Sequence, residues 1–497
     1  MLLVLSVNLS KKGSFKEMSK NNKSKGSFKS KGKAKKFNPK YKEGVNTKFE
    51  GKSIPKEDDY RTDVRNSTEN DPAWYGVSSQ MVKDVAKISF NNPLGLPVDL
   101  GIPKSERLTS NAASRQTIPG ICSIEYSYGP GYSDDTNSAV NLAARNIYAF
   151  VRHVNSGSAN YEPSDLMLYI MAVSSCYVLY SWLVRAYGVC LQYKQINRYY
   201  NQMILRAMGF NPNDLEEHLP QFRYAINKFV RRIGTLPIPG NLNYLKRETW
   251  LPANLFKDED DDKAQLYMFV PRGFYTYEEV KNTEHGSHCD WKTRSQLLTE
   301  ISSTTTDGFW TVNDIILITD YIANKLIESE DIGIITGDII KAYGQNVFQI
   351  GEVTEGFQIQ AMYLPEVLDQ IHNLTILGDV DNMNIEQRYS SNLGSSLLWK
   401  PTLNRYAEEI QDIGDYVYNT SLSGKRILDF PYNDPTPDEI MVATRLMALP
   451  GANAAKAATE IVNEITVWSI DGNEYTKHGM KVTDTASNDI NLSEGMA

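Results

Sequence analysis

Cysteine is scarce in this chain of 497 residues: Cys122, Cys176, Cys190 and Cys289 are the four present, and no two stand at CxxC spacing. That argues against a disulfide framework and a zinc ribbon, and makes reduced, buried thiols the expectation. Histidine is nearly as thin, with six residues dispersed at positions 153, 218, 285, 288, 372 and 478. No Ser/His/Asp constellation can be assembled from so sparse a pattern. Long apolar runs are missing with one exception, Leu166 to Val184, which carries no charge between Asp165 and Arg185 and is long enough to cross hydrocarbon. Ser174, Ser175, Ser181 and the tyrosines at 169, 177 and 180 interrupt it, and no second segment of that length exists. The central helix of a large core fits better than a membrane span, so no integral membrane insertion is expected. The opening MLLVLSV lacks a preceding basic region and a small-residue cleavage site, which makes it a poor signal peptide; Met18 offers a second plausible start.

Acidic residues are nearly missing from one end. The first fifty residues hold no aspartate and only Glu17, Glu43 and Glu50, against Lys11, Lys12, Lys16, Lys20, Lys23, Lys25, Lys29, Lys31, Lys33, Lys35, Lys36, Lys40, Lys42 and Lys48. They carry +11, so a chain with a formal charge of −8 leaves −19 for everything after residue 50. A basic tail on an acidic body is the charge layout of a protein that holds a polyanion by one end. Lys, Ser, Gly and Asn dominate residues 11 to 50, and GSFK occurs twice, from Gly13 and from Gly26. Such a composition builds no core, so a disordered arm is expected. Lysines neutralise phosphates without fixing geometry, which implies RNA or DNA binding independent of sequence. Phe15, Phe28 and Phe37 are interleaved and are suited to stacking on unpaired bases or to simple hydrophobic adhesion. Fully extended, Lys11 to Lys48 reaches about 125 Å, and as a coil about 35 Å. A solubility tail or a localisation signal is the plainer reading of the same lysines.

The remainder, in a chain that is 41% hydrophobic and 23% charged, is ordinary globular material. Residues 51 to about 75 read as a polar linker, and Asn92 to Pro130 as a stretch punctuated by Pro and Gly. Helical periodicity begins after Ser133, where Val140, Ala143 or Ala144, Ile147, Val151 and Val154 recur at three and four residues. Ser133 to Thr136 supply N-cap candidates, Ser164 caps the apolar helix, and Gly188 marks its end. A third helix reaches Gly209, Asn211-Pro212 breaks it, and a fourth from about Gln221 carries Arg223, Lys228, Arg231 and Arg232 before Gly234. Gln265 to Val270 looks extended, and a helix is expected from about Asn313 to Ser329. Asn346 to Ile350 and Phe357 to Met362 flank a polar segment as in a hairpin. Thr436-Pro437-Asp438-Glu439 is a capping box opening a helix through Leu449, and Ile465 to Ile470 with Asp471-Gly472 and Tyr475 suggests a terminal hairpin.

Catalytic and metal patterns fail one by one, and no catalytic residue, metal or cofactor is expected. Gly424-Lys425 has Asn419 in place of the first glycine of a phosphate loop and Arg426 in place of its hydroxyl residue. Gly129-Pro130-Gly131 lacks a third glycine. Asp379, Asp381 and Glu386 imitate the start of a calcium loop, but Met383 occupies a ligand place. His285, His288, Cys289 and Asp290 form a zinc-like cluster in which adjacent His288 and Cys289 point apart in most backbones. Asp134 and Asp135 resemble the magnesium-binding pair of some viral polymerases, yet they open a helix, and capping is the simpler role.

Pro119-Gly120-Ile121, GPGYSDD from Gly129, NLAARNIYAFVRHVNSGSANYEPSDLMLYIMA from Asn141 to Ala172, and Arg185-Ala186-Tyr187-Gly188 resemble the capsid proteins of picobirnaviruses. Asn197-Arg198-Tyr199-Tyr200, Phe222 to Asn227, and EIMVATRL from Glu439 to Leu446 extend the likeness. It is clearest from about 115 to 275, returns around 436 to 449, and is weak between. The resemblance implies a mainly α fold: a helical shell domain with an inserted mixed α/β protruding domain and a disordered basic N-terminal arm. Its boundaries here are 1–70 for arm and linker, 71–254 for the first part of the shell domain, 255–400 for the protruding domain, and 401–497 for the return to the shell. It further implies symmetric homodimers building an icosahedral shell around double-stranded RNA, with the viral polymerase as a candidate enclosed partner. The virion is the implied location, and the host cytoplasm the place of assembly. Some members remove an N-terminal segment by self-cleavage, and no cleavage site can be placed here. Two rivals stand beside this reading: an RNA-binding scaffold that forms no closed shell, and a nucleotidyl-transfer enzyme using Asp134 and Asp135.

Overall fold

Ile121–Tyr128 alternates Cys122, Ile124, Tyr126 and Tyr128 with Ser123, Glu125 and Ser127, the two-residue period of a strand. It forms β1, nearly all buried. The computed structural model describes residues 121–156, 160–192, 200–259, 264–280, 286–305, 307–376, 378–390, 394–403, 433–447 and 459–471, with the strand backbones 97–98, 116–117, 449–451, 454–456, 474–482 and 490–491. These fall in one compact unit that reaches from Phe90 to Ala497. The further strands, in chain order, are β2 (Leu255–Lys257), β3 (Leu266–Pro271), β4 (Gly273–Glu278), β5 (His288–Thr293), β6 (Ala361–Tyr363), β7 (Glu386–Ser390), β8 (Gly394–Leu398), β9 (Glu460–Asp471), β10 (Glu474–Val482) and β11 (Ile490–Asn491). Seven of them make one sheet in the order β6-β2-β3-β1-β9-β10-β11, while β4 with β5 and β7 with β8 form separate antiparallel pairs.

Helices supply the connection that this topology demands. β1 runs parallel to β3, and parallel neighbours need a long crossover between them. The crossover is the helical block: α1 (Ala139–Val154), α2 (Pro163–Cys190), α3 (Tyr200–Met208), α4 (Pro212–Glu217), α5 (Leu219–Ile233) and α6 (Asn243–Trp250). Beyond it come α7 (Arg294–Glu300), α8 (Val312–Ile327), α9 (Glu330–Tyr343), α10 (Pro365–His372) and α11 (Pro437–Ala443). The expected mainly α class is therefore corrected to a mixed one, with helices wrapped around a central sheet. Strands β2, β3 and β6 share that sheet with β1 and β9, and Tyr275, Met383 and Trp399 share one buried cluster with α2.

α2 is the axis of the core. It spans 28 residues, is buried on every side, and is the helix long and apolar enough to cross a membrane among the described residues. Most of its buried polar side chains find protein partners, while Ser181 Oγ, Trp182 Nε1 and Arg185 Nε are buried without one. Tyr169 and Tyr177 donate to the carbonyls of Pro237 and Leu236, both at 2.8 Å. Ser175 meets the Tyr128 hydroxyl at 2.8 Å and accepts from the Tyr275 amide at 2.7 Å. Tyr275 in turn donates to the carbonyls of Tyr128 and Met383, and the Trp399 indole donates to the Tyr275 hydroxyl at 3.1 Å. This chain of aromatic side chains ties β1, α2, β4 and the 383–399 segment together.

Several expectations shift. The hairpin over 346–362 does not form: Val347–Phe348 pairs with Ile238–Pro239, and β6 pairs in parallel with β2. The intervening backbone lies against α2 instead, where Tyr180, Tyr187 and Gln192 donate to the carbonyls of Gly351, Glu355 and Ile359. Gly188 does not end α2. It makes room for this segment, since a Cβ there would stand 2.9 Å from the Phe357 ring and 3.1 Å from Ile359. α1 starts at Ala139, later than the cap candidates, because Ser138 Oγ accepts from the amides of Asp134 and Asp135 and closes a turn first. Asn211 breaks α3 by capping α4, its side chain accepting from the Asp214 amide. The Thr436 capping box is present, but α11 stops at Ala443. The terminal hairpin is present as β9 and β10, with Asp471 opposite Glu474.

Candidate nucleic-acid interface

The fourteen lysines from Lys11 to Lys48 lie outside the described residues, as do His285 and the Gly424-Lys425-Arg426 stretch. Among the helices of the described body, α5 is the richest in cations, with Arg223, Lys228, Arg231 and Arg232. Three of its cations are spent on acids: Lys228 and Arg232 pair with Asp320 at 2.6 and 3.1 Å, and Arg231 pairs with Glu352 at 2.7 Å. That helix is fastened to α8 and to the 350–355 segment, with three of its four cations held against Asp320 and Glu352.

α1 differs. Its apolar residues Val140, Ala144, Ile147 and Val151 turn inward, while Arg145, Arg152 and His153 are exposed and no acidic residue occurs in the helix. Arg145 donates to the Thr136 carbonyl at 2.7 Å. Neither Arg145 nor Arg152 forms an ion pair among the described residues. The start of α1 is locked to β8 by Asn141, whose Oδ1 accepts from the Leu397 amide at 2.8 Å while its Nδ2 donates to the Leu397 carbonyl at 3.0 Å. The Ser164 and Ser395 hydroxyls meet across the same junction, and Gln387 on β7 donates to Asp165 at 2.6 Å. Between α1, the start of α2 and β8 lies a cleft of about 300 Å³.

The other candidate sites resolve into structural roles. Asp135 Oδ1 accepts from the Asn137 amide at 2.7 Å and the Ser138 hydroxyl at 3.2 Å, so it closes the turn before α1. His288 Nε2 stands 3.2 Å from Asp290 on one face of β5, and that carboxylate holds the imidazole above its ordinary range. Cys289 points the other way, into the core, where burial pushes its thiol up. Asp379 pairs with Arg272 at 2.5 Å, and Met383 is buried with its carbonyl accepting from Tyr275 and Trp399. Gly129 is required where it is because the Trp399 ring lies against its Cα. All four cysteines are free, three of them buried. Among the described residues no group of three or more His, Cys, Asp or Glu side chains converges as a metal site.

Sequence reasoning missed a buried charged cluster at the seam between α6 and β9. Arg247 makes a two-pronged pair with Glu460 at 2.6 and 2.7 Å and donates to Gln370 on α10 at 2.8 Å. Beside it, burial pushes the Glu248 carboxyl up to about 8, the Glu460 charge adding to the effect and the Ser174 hydroxyl opposing it. Fully buried Arg185 donates to the carbonyls of Asn254 and Phe269, and burial lowers its guanidinium to about 9. No local spacing announces contacts between residues this far apart in the chain.

Residues 74–485 match the family model for the picobirnavirus capsid protein. The capsid protein precursor of Human picobirnavirus (strain Human/Thailand/Hy005102/-) is 27% identical over 460 residues, spanning 87% of this chain and 80% of that protein. The fold is similar to the X-ray crystallographic structure of the picobirnavirus capsid, with a TM-score of 0.65 at 20% identity, over 85% of this chain and 87% of that one. A family match running from residue 74 to 485 is decisive, and the chain belongs to the picobirnavirus capsid proteins.

Proposed function

We propose that this capsid protein forms symmetric dimers that close into an icosahedral shell and package double-stranded RNA through the lysines of its N-terminal arm. The observation that carries the reading is charge segregation: +11 in the first fifty residues and −19 in the rest. The arm neutralises phosphates without reading bases, and the acidic body limits adhesion of RNA to outer surfaces. Closed symmetry repeats one modest contact many times, so weak interfaces make a firm shell, and many tethered arms grip one genome with avidity. Within the body, residues 71–254 and 401–497 form the tiling shell. The outward part is drawn from 255–400, with β2 and β3 at its start anchored in the central sheet. The virion is its place of action, and the host cytoplasm its place of assembly.

The test is expression of the full chain and of a chain lacking residues 1–50, followed by electron microscopy and measurement of nuclease-protected RNA. Both chains are expected to dimerise, and the truncated one to retain much less RNA at moderate salt. Only small oligomers at every salt concentration would overturn the shell. RNA coated in open assemblies without nuclease protection would favour a scaffold instead.

A further inference from the structure

The exposed face of α1 carries two arginines and no acid in a body that is acidic as a whole. Arg145, Tyr148 and Arg152 follow the three- and four-residue spacing that places side chains on one helix face. The two arginines are ~10 Å apart along the axis. All three line the 300 Å³ cleft, whose other wall includes Ser164, Ser395 and Ser396. Guanidinium groups donate in a planar fork that matches phosphate oxygens. On α5, Lys228, Arg231 and Arg232 are held by Asp320 and Glu352; on α1, Arg145 and Arg152 meet no acid among the described residues. Glu162 is the carboxylate at the cleft, and it weakens the field of the two arginines without cancelling it.

We propose that this cleft binds phosphate groups and that its occupant is the phosphodiester backbone of RNA, giving the folded body a grip on nucleic acid separate from the arm. The inference rests on the RNA-packaging reading and adds a located contact to it. Arg145 and Arg152 are exposed, so their replacement leaves the core untouched.

The experiment compares the full chain with its R145Q/R152Q variant in binding double-stranded RNA across a salt titration, with equal unfolding midpoints confirming intact folding. Losing two phosphate contacts makes the slope of log K against log salt shallower by about 1.8, equally for every RNA sequence. Glu162→Gln, which keeps a carbonyl oxygen for the cap of α2, tightens binding, and Arg231→Gln leaves the slope alone. An unchanged slope in R145Q/R152Q while the parent binds RNA overturns the proposal. Loss of inorganic phosphate or ATP binding with an unchanged RNA slope assigns the cleft to a small phosphate ligand and overturns the RNA occupant. If the parent binds no RNA at all, the packaging reading fails, and this occupant fails with it.

Discussion

Glu248 and Arg247 are neighbours in sequence with opposite demands on their surroundings. The Glu248 carboxyl is raised from 4.5 to about 8, so the native state holds a proton there that the unfolded chain has lost. Its contribution to stability is full below about 4.5, declines as pH rises, and is gone above about 8. Glu248→Gln is expected to match the parent near pH 4 and exceed it at pH 8, the gap growing by at most about 1.4 kcal/mol per pH unit. Denaturant midpoints of both proteins at pH 4, 6 and 8 check this, and a gap constant with pH would refute it. Arg247 stands against Glu460, whose side chain is only 2% exposed. Removing one partner of a buried pair leaves an uncompensated charge, so Arg247→Leu should cost about 3–5 kcal/mol. Adding Glu460→Leu to Arg247→Leu should restore much of that loss in the same unfolding measurement.

At the scale of elements, Gly188 shows how one missing side chain lets a loop lie on a helix. Gly188→Val is expected to destabilise by about 1–3 kcal/mol through overpacking against Phe357 and Ile359, with protease cleavage in the 350–360 segment rising in parallel. The elements that sequence reveals are those whose signal is local. α1, α5 and α8 follow from their apolar spacing, and β9 with β10 from the Asp471-Gly472 turn. β1 carried a readable alternation in Cys122, Ile124, Tyr126 and Tyr128, masked by the Pro and Gly residues on either side. The hairpin over 346–362 was misread because its polar middle looks like a turn, whereas its carbonyls are held by Tyr180, Tyr187 and Gln192 from another element. The same limit applies to the candidate interface. The cations of α1 and α5 are equally visible in sequence, but only the fold shows which of them have met acids.

For the whole molecule, electrostatics and connectivity act on different clocks. If six to ten arm lysines contact phosphates, RNA affinity should fall by about 10³ to 10⁵ between 50 and 200 mM salt. A titration by filter binding reads that fall, and a flat response would mean that the positive charge of the arm is not what holds the genome. Connectivity governs the earlier stage, when the chain is still being made. β1 is flanked by β3 and by β9, and β9 begins at Glu460. A nascent chain that has already paired β1 with β3 therefore waits ~10–40 s of synthesis before its other neighbour emerges. During that interval one side of β1 offers unpaired amides and carbonyls to any extended segment nearby. Chains truncated before Glu460 should aggregate on expression instead of co-assembling with full-length protein. Only finished polypeptides can then enter a particle, a quality check written into the order in which the ribosome delivers the strands.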